Sequence, residues 1–205
     1  MRITEIKQIG KSDNYRVYLN ESYFLTLNIY TIFTYHLVIG MEIEESELEK
    51  MQFDGEKTLA FEKAVGLLSR GSKTSKEMKE YLTKKGYKQA VCDYVIEKLE
   101  GYKYLNDEEY AKMFVSDKRN AKGKMMLKQL LIKKGISKDI IENTLENLNQ
   151  DEEIIVICEK YMKNKDKTSE NKQKLYRHLL SRGFCYDETK NAINKFYKED
   201  YYDWN

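Results

Sequence analysis

Leu82-Thr83-Lys84-Lys85-Gly86-Tyr87 returns as Leu131-Ile132-Lys133-Lys134-Gly135-Ile136 and again as Leu179-Leu180-Ser181-Arg182-Gly183-Phe184. The three glycines stand 49 and 48 residues apart. The agreement runs on downstream. Ten residues past each glycine stand Ile96, Leu145 and Ile193; thirteen past stand Leu99, Leu148 and Phe196. Self-similarity at a fixed period marks a repeat array. A glycine just beyond a helix takes the left-handed conformation and lets the last carbonyls find partners. The Lys-Lys pairs before Gly86 and Gly135 suit the negative end of a helix dipole. Each glycine therefore closes one helix, and the residues after it open the next. Positive φ is expected at Gly86, Gly135 and Gly183.

Outward from the glycines the periodicity stays helical. Cys92, Val95, Ile96 and Leu99 fall on one helix face. Ile141, Leu145 and Leu148 repeat that face, as do Thr189, Ala192, Ile193 and Phe196. Phe61, Ala64, Val65 and Leu68 mark an earlier helix. Thr74-Ser75-Lys76-Glu77 is a capping box opening a second, with Met78, Tyr81 and Leu82 on its buried side. Asn106-Asp107-Glu108-Glu109 starts the second unit, followed by Tyr110, Met113 and Phe114. Asp151-Glu152-Glu153 starts the third, with Ile154, Ile157, Cys158 and Tyr161 on one face. The first 55 residues read differently. Residues 15–19 and 23–27 form a hairpin around Asn20-Glu21-Ser22, and residues 3–9 add a strand. Residues 29–39 are apolar and open to either strand or helix, and residues 42–50 suggest a short helix. The expected fold is mainly α: three tandem three-helix repeats in an elongated curved array behind a small β-rich module. The divisions are 1–55 for the module, 56–105, 106–150 and 151–198 for the repeats, and 199–205 for a tail.

Composition removes several functional classes. The 205 residues contain no apolar run long enough for a membrane span. The start Met1-Arg2-Ile3-Thr4-Glu5 lacks the basic-then-apolar pattern of secretion. Three widely spaced cysteines and two histidines give no zinc-ligand spacing. Cys92 and Cys158 sit on apolar faces as small core residues. A cytoplasmic protein with reduced thiols is expected. There is no P-loop, GxGxxG or HExxH, so no catalytic set, cofactor or metal is expected. His36 and His178 read as packing residues. The acidic triplets at 107–109 and 151–153 lie at helix starts, where the dipole favours them. Seventeen tyrosines could stack on bases, but most fall at core spacing. The formal charge is +2, unevenly spread. Between Ser116 and Lys138, eight basic residues face one acid, Asp117. Such a patch suits phosphates or an acidic protein groove.

Gly101-Tyr102-Lys103-Tyr104-Leu105-Asn106-Asp107-Glu108-Glu109-Tyr110-Ala111 resembles the signature of the RecX family, regulators of the RecA recombinase. Residues 133–136 and 181–184 resemble its later repeats, and the likeness covers residues 56–198. Arg70-Gly71-Ser72-Lys73 departs from the Arg/Pro-rich stretch common in that family, which puts in doubt any contact made there. The resemblance implies a non-enzymatic protein that binds the helical groove of the RecA filament on DNA. It implies inhibition of recombinase, ATPase and co-protease activities, with roles in DNA repair, recombination and the SOS response. The partner-binding residues expected here are Lys118, Arg119, Lys122, Lys124 and Lys128, with Lys133 and Lys134 next. The last two equally suit a helix end. The protein is expected to be a monomer. Reversing charge at Lys118, Arg119, Lys122 and Lys124 is expected to leave the fold intact. The rival reading is a sequence-independent nucleic-acid-binding module acting without RecA.

Overall fold

The hairpin predicted around Asn20 forms with both turn residues at positive φ, Asn20 at 49° and Glu21 at 69°. Two consecutive positive φ values make the type I′ connection whose twist matches paired strands. In the computed structural model, which describes residues 1–198, β1 (Ile3–Gln8), β2 (Asn14–Leu19) and β3 (Ser22–Asn28) form an antiparallel sheet in sequence order. The expected tail, 199–205, lies outside the described residues. The chain divides into two compact units, Met1–Leu105 and the part from Asn106 onward.

In the first unit, Ile3, Val17, Leu19 and Leu27 are buried on the sheet. The segment open to either reading resolves as α1 (Ile29–Thr34), capped by Asn28, whose side chain accepts from the Tyr30 amide. The buried Asn28 amide also donates to Glu62 at 2.7 Å, tying the end of β3 to the next helix. That helix, α2, runs unbroken from Glu45 to Leu68. The separate short helix expected over 42–50 and the fresh start at 56 are therefore one element, and the division at 55/56 falls inside it. Gly55 explains why no break is needed. A Cβ there would lie 2.2 Å from the Leu27 side chain, so the glycine is where α2 crosses closest to β3. It serves as a contact point within the helix.

α3 (Ser75–Lys84) and α4 (Gln89–Gly101) complete the first repeat. The capping box at Thr74 and Glu77 is present. Gly86 takes φ 89°, and the Tyr87 amide bonds back to the Leu82 carbonyl at 3.3 Å. The core joins Ala60 and Ala64 of α2 to Met78, Leu82, Val91, Cys92, Val95, Leu99 and Leu105. Burying one such leucine fully contributes about 1.5–3 kcal/mol.

The second unit holds the other two repeats. α5 (Asp107–Lys118), α6 (Lys124–Lys134) and α7 (Lys138–Leu145) enclose Ala111, Val115, Leu127, Leu131, Ile136, Ile141 and Leu145. α8 (Asp151–Met162), α9 (Ser169–Ser181) and α10 (Tyr186–Lys198) enclose Ile154, Cys158, Leu175, Leu179, Phe184 and Ile193, among others. Asn106, Ser137 and Thr168 cap α5, α7 and α9 through side-chain oxygens. Gly135 and Gly183 take φ 84° and 86°, so all three recurrent glycines adopt the predicted conformation. None of the described helices is long and apolar enough to cross a membrane.

Candidate partner-binding surface

The basic segment spans the end of α5, the link 119–123 and all of α6. The link is held by the third repeat. The Gly123 amide donates to the Arg182 carbonyl at 2.9 Å, and the Met125 amide donates to the Gly183 carbonyl at 3.0 Å. Gly123, the residue capping α6, offers no side chain, so the turn that closes α9 supplies partners to the start of α6. The two backbones approach closely. A Cβ on Gly123 would lie 2.2 Å from the Phe184 amide nitrogen, and one on Gly183 would lie 2.5 Å from that of Met126. Neither position has room for a side chain.

Side chains reinforce this junction. Gln150 is 4% exposed. Its amide donates to the carbonyls of Arg119 and Lys122 at 2.8 and 2.9 Å. The Arg119 guanidinium donates to the Glu153 carboxylate at 2.5 Å and to the Asn149 carbonyl at 2.7 Å. Arg182 returns a bond to the Ala121 carbonyl at 3.2 Å. Arg119 is thus committed to the fold, and the expectation that its charge reversal leaves the fold intact is corrected. Removing one partner of such a pair strands the other. Nothing in the local pattern of residues 119–153 announced Gln150 or Glu153 as its partners, because they lie about one helix pair away in sequence.

The lysines separate into groups. Lys124 and Lys128, one turn apart, share a face of α6. They line a groove of about 590 Å³ with Met125, while Ile141, Leu145, Glu142 and Glu146 line it from the other side and Cys185 also contributes. Met125 is 56% exposed there. Lys124 Nζ reaches the Glu146 carbonyl at 3.4 Å. The groove therefore has an apolar floor, with ammonium groups on α6 and carboxylates contributed by α7 and its C-terminal end. It suits an amphipathic protein segment better than a bare polyanion. Lys118 and Lys122 lie outside its lining, and neither has a carboxylate partner among the described residues. Lys133 and Lys134 occupy the last turn of α6, before Gly135. Lys138, beyond it, pairs with Glu142 at 3.6 Å.

Cys185 at the groove is half-buried, and burial followed by Glu188 pushes its thiol up from the ordinary range. Cys158 is buried in the core, which raises its thiol to about 11. His36 is exposed at φ 49°, just past α1. His178 is half-buried, its ring centroid 4.6 Å from that of Tyr161. Burial, then the charges of Arg182 and Lys165, hold it below the usual imidazole value. Among the described residues, no three His, Cys, Asp or Glu side chains are placed to hold a metal ion.

Known proteins resemble this chain in sequence and fold. Residues 60–99 match the first three-helix domain of RecX, and residues 106–145 match the second. The regulatory protein RecX of Clostridium beijerinckii is 31% identical over 203 residues, covering 95% of both chains. That of Clostridioides difficile (strain 630) is 30% identical over 98% of each chain. A crystal structure of RecX from Lactobacillus salivarius superposes with a TM-score of 0.65 at 27% identity, covering 69% of this chain and 96% of that one. Another crystal structure of regulatory protein RecX, 20% identical, has the same fold, with a TM-score of 0.73 over 94% of this chain and 98% of that one. Two matched helical domains and near-full-length similarity at this identity lead to one conclusion: this chain belongs to the RecX family of regulatory proteins.

Proposed function

We propose that the protein binds in the groove of the RecA filament on DNA and inhibits its recombinase, ATPase and co-protease activities. It acts in the cytoplasm as a monomer and performs no catalytic step of its own. The observation that carries this reading is near-full-length similarity to proteins named regulatory protein RecX. The working units are an N-terminal module whose last helix, α2, also opens the first repeat ending at 105, and the repeats 106–150 and 151–198. Lys124 and Lys128 make the leading contacts, because the groove they line offers an apolar floor beside their charges. Lys118 adds exposed charge and Lys122 half-buried charge, while Arg119 holds the repeats in place. Several modest contacts on neighbouring RecA protomers then combine through effective concentration.

The test is RecA ATPase activity on single-stranded DNA with this protein added. Inhibition is expected, and Lys124→Glu/Lys128→Glu should weaken it about tenfold or more while thermal stability holds. Reversing two contact charges moves binding by several kcal/mol only where both are desolvated, so tenfold is a modest expectation. ATPase activity indifferent to the wild-type protein removes the reading. The rival, nucleic-acid binding without RecA, draws on Lys118, Lys122 and Lys128, none of which has a carboxylate partner among the described residues. It predicts equal affinity for DNA with and without RecA and a steep loss with salt.

A further inference from the structure

One face of the first unit leaves its apolar residues in water. α1 buries Thr31 and Ile32 and keeps its aromatic residues outside. Tyr30 is 73% exposed and Phe33 68%. Just beyond the helix, Val38 is 61% exposed and Ile39 65%. Single apolar side chains at a surface are common, but four large ones between positions 30 and 39 form a patch of the kind that marks an interaction site. The patch is held on a fixed backbone. Leu37, between its two halves, is buried, and its amide donates to the Ile32 carbonyl at 3.0 Å. The Gly40 amide donates to the Ile3 carbonyl at 2.8 Å, and the Ile3 amide to the Met41 carbonyl at 2.9 Å, which ties the segment to β1. His36 and Gly40 turn the chain at positive φ, 49° and 93°. Left-handed backbone is unfavourable at a residue with a Cβ, so the surrounding contacts enforce the turn at His36.

The charge around the patch is mostly of one sign. Residues 29–49 contain five glutamates and no lysine or arginine. Glu42, Glu44, Glu47 and Glu49 are exposed. Glu47 lies beside the end of α1. After burial and Asp54, its charge is the next cause that pushes the Tyr35 hydroxyl up to about 12. Arg2 approaches from the side of the sheet, a guanidinium nitrogen lying 3.5 Å from where a Cβ on Gly40 would stand. Tyr30, at the other end of the patch, borders a cleft that holds Lys57 and Lys98. Lys57 is paired there with Asp54 at 2.6 Å. Residues 1–55 as a whole carry nine acidic side chains against five basic ones.

An acidic rim repels phosphates, which disfavours a nucleic acid or an anionic lipid surface as the occupant. What it complements is an apolar face flanked by lysine or arginine, the pattern of a basic amphipathic helix. We propose that this face of the N-terminal module docks a basic amphipathic segment of another protein. The segment's apolar side chains sit on Tyr30, Phe33, Val38 and Ile39, and its cations meet Glu44 and Glu47. The surface belongs to the first unit, whereas the groove of α6 and α7 belongs to the second, and its occupant is not the filament that the second unit is proposed to bind.

The probe is a labelled synthetic peptide of leucine and lysine, about 15 residues long and patterned as an amphipathic helix. A second probe carries glutamate in place of every lysine. Fluorescence anisotropy with the full-length protein should show the lysine peptide binding about tenfold or more tighter than the glutamate peptide, with the difference narrowing as salt rises. Phe33→Ser/Ile39→Ser should weaken binding of the lysine peptide by about tenfold or more. Its thermal melting should match the parent's, because neither side chain is in the core. Glu44→Gln/Glu47→Gln should bring the two peptides closer in affinity. The comparison of the two probes uses unaltered protein, so it stands even where a variant loses stability. Equal affinity for both peptides overturns the proposal, as does no measurable binding at low salt or a folded Phe33→Ser/Ile39→Ser variant that binds like the parent. Sedimentation of the protein alone, and flotation with phosphatidylglycerol vesicles, test the other occupants. A parent that dimerises or binds those vesicles through Phe33 and Ile39 gives the face to a second copy or to a lipid surface, and the proposal fails.

Discussion

At the scale of single residues, burial decides what each polar group does. His178 rests on Tyr161, and burial is the first cause of its lowered pKa, followed by two nearby cations. The unfolded chain therefore takes up a proton more readily than the folded one. Stability should be complete above the ordinary imidazole value of 6.5 and should decline as pH falls toward the lowered folded-state value. His178→Phe should flatten that part of the profile, measured as thermal midpoint against pH. A midpoint of the parent that rises on acidification through this window contradicts the assignment. The packing role of His178 was legible in the sequence, because its position aligns with Tyr81 and Leu130. The engagement of Arg119 was not, because the carboxylate that neutralises it belongs to another repeat.

At the scale of elements, one motif acquires different duties in different copies. Gly86 and Gly183 share the left-handed conformation, at 89° and 86°. A Cβ on Gly86 would meet nothing within 4 Å, whereas one on Gly183 would strike Met126 at its amide nitrogen and Cβ, 2.5 and 2.4 Å away. Gly86→Ala should therefore cost about 1–2 kcal/mol, the left-handed penalty alone. Gly183→Ala should cost about 1–3 kcal/mol more, because backbone must shift to admit the methyl group. Denaturant melts of the two variants give the comparison, and equal losses would show that α6 and the turn of α9 do not meet so closely. The Arg119–Glu153 pair tests the same junction through side chains. A double-mutant cycle with Arg119→Ala and Glu153→Ala should return a coupling on the order of 0.5–3 kcal/mol, as expected for residues in direct contact. An isolated solvent-exposed pair would give about 0.2–1 kcal/mol. Glu153 keeps only 15% of its side-chain surface, which favours the larger value.

At the scale of the whole molecule, two units with two core clusters each share the labour of stability. Leu82 is fully buried in the first repeat. Leu82→Ala should cost about 2–5 kcal/mol through reduced burial and the cavity left behind. Hydrogen exchange should register the loss at the amides of 1–105 and spare those of α8 to α10. A uniform loss across both units would mean that the chain unfolds as a single cooperative body. The sequence by itself determined the helical repeats, their closing glycines, the caps at Thr74 and Asn106, and the hairpin around Asn20. Each of these depends on neighbours within about one turn of chain, so local spacing suffices to specify it. The family likeness was equally legible, because its motifs are short and local. Tertiary structure alone decided that α2 is one helix, since the reason lies in a Gly55 pressed against β3. It also decided which lysines share a groove, which arginine is consumed by a repeat junction, and which tyrosines stay outside the core. Those properties depend on residues tens of positions apart, and the period that predicts a helix says only which of its faces is apolar, not what will cover it.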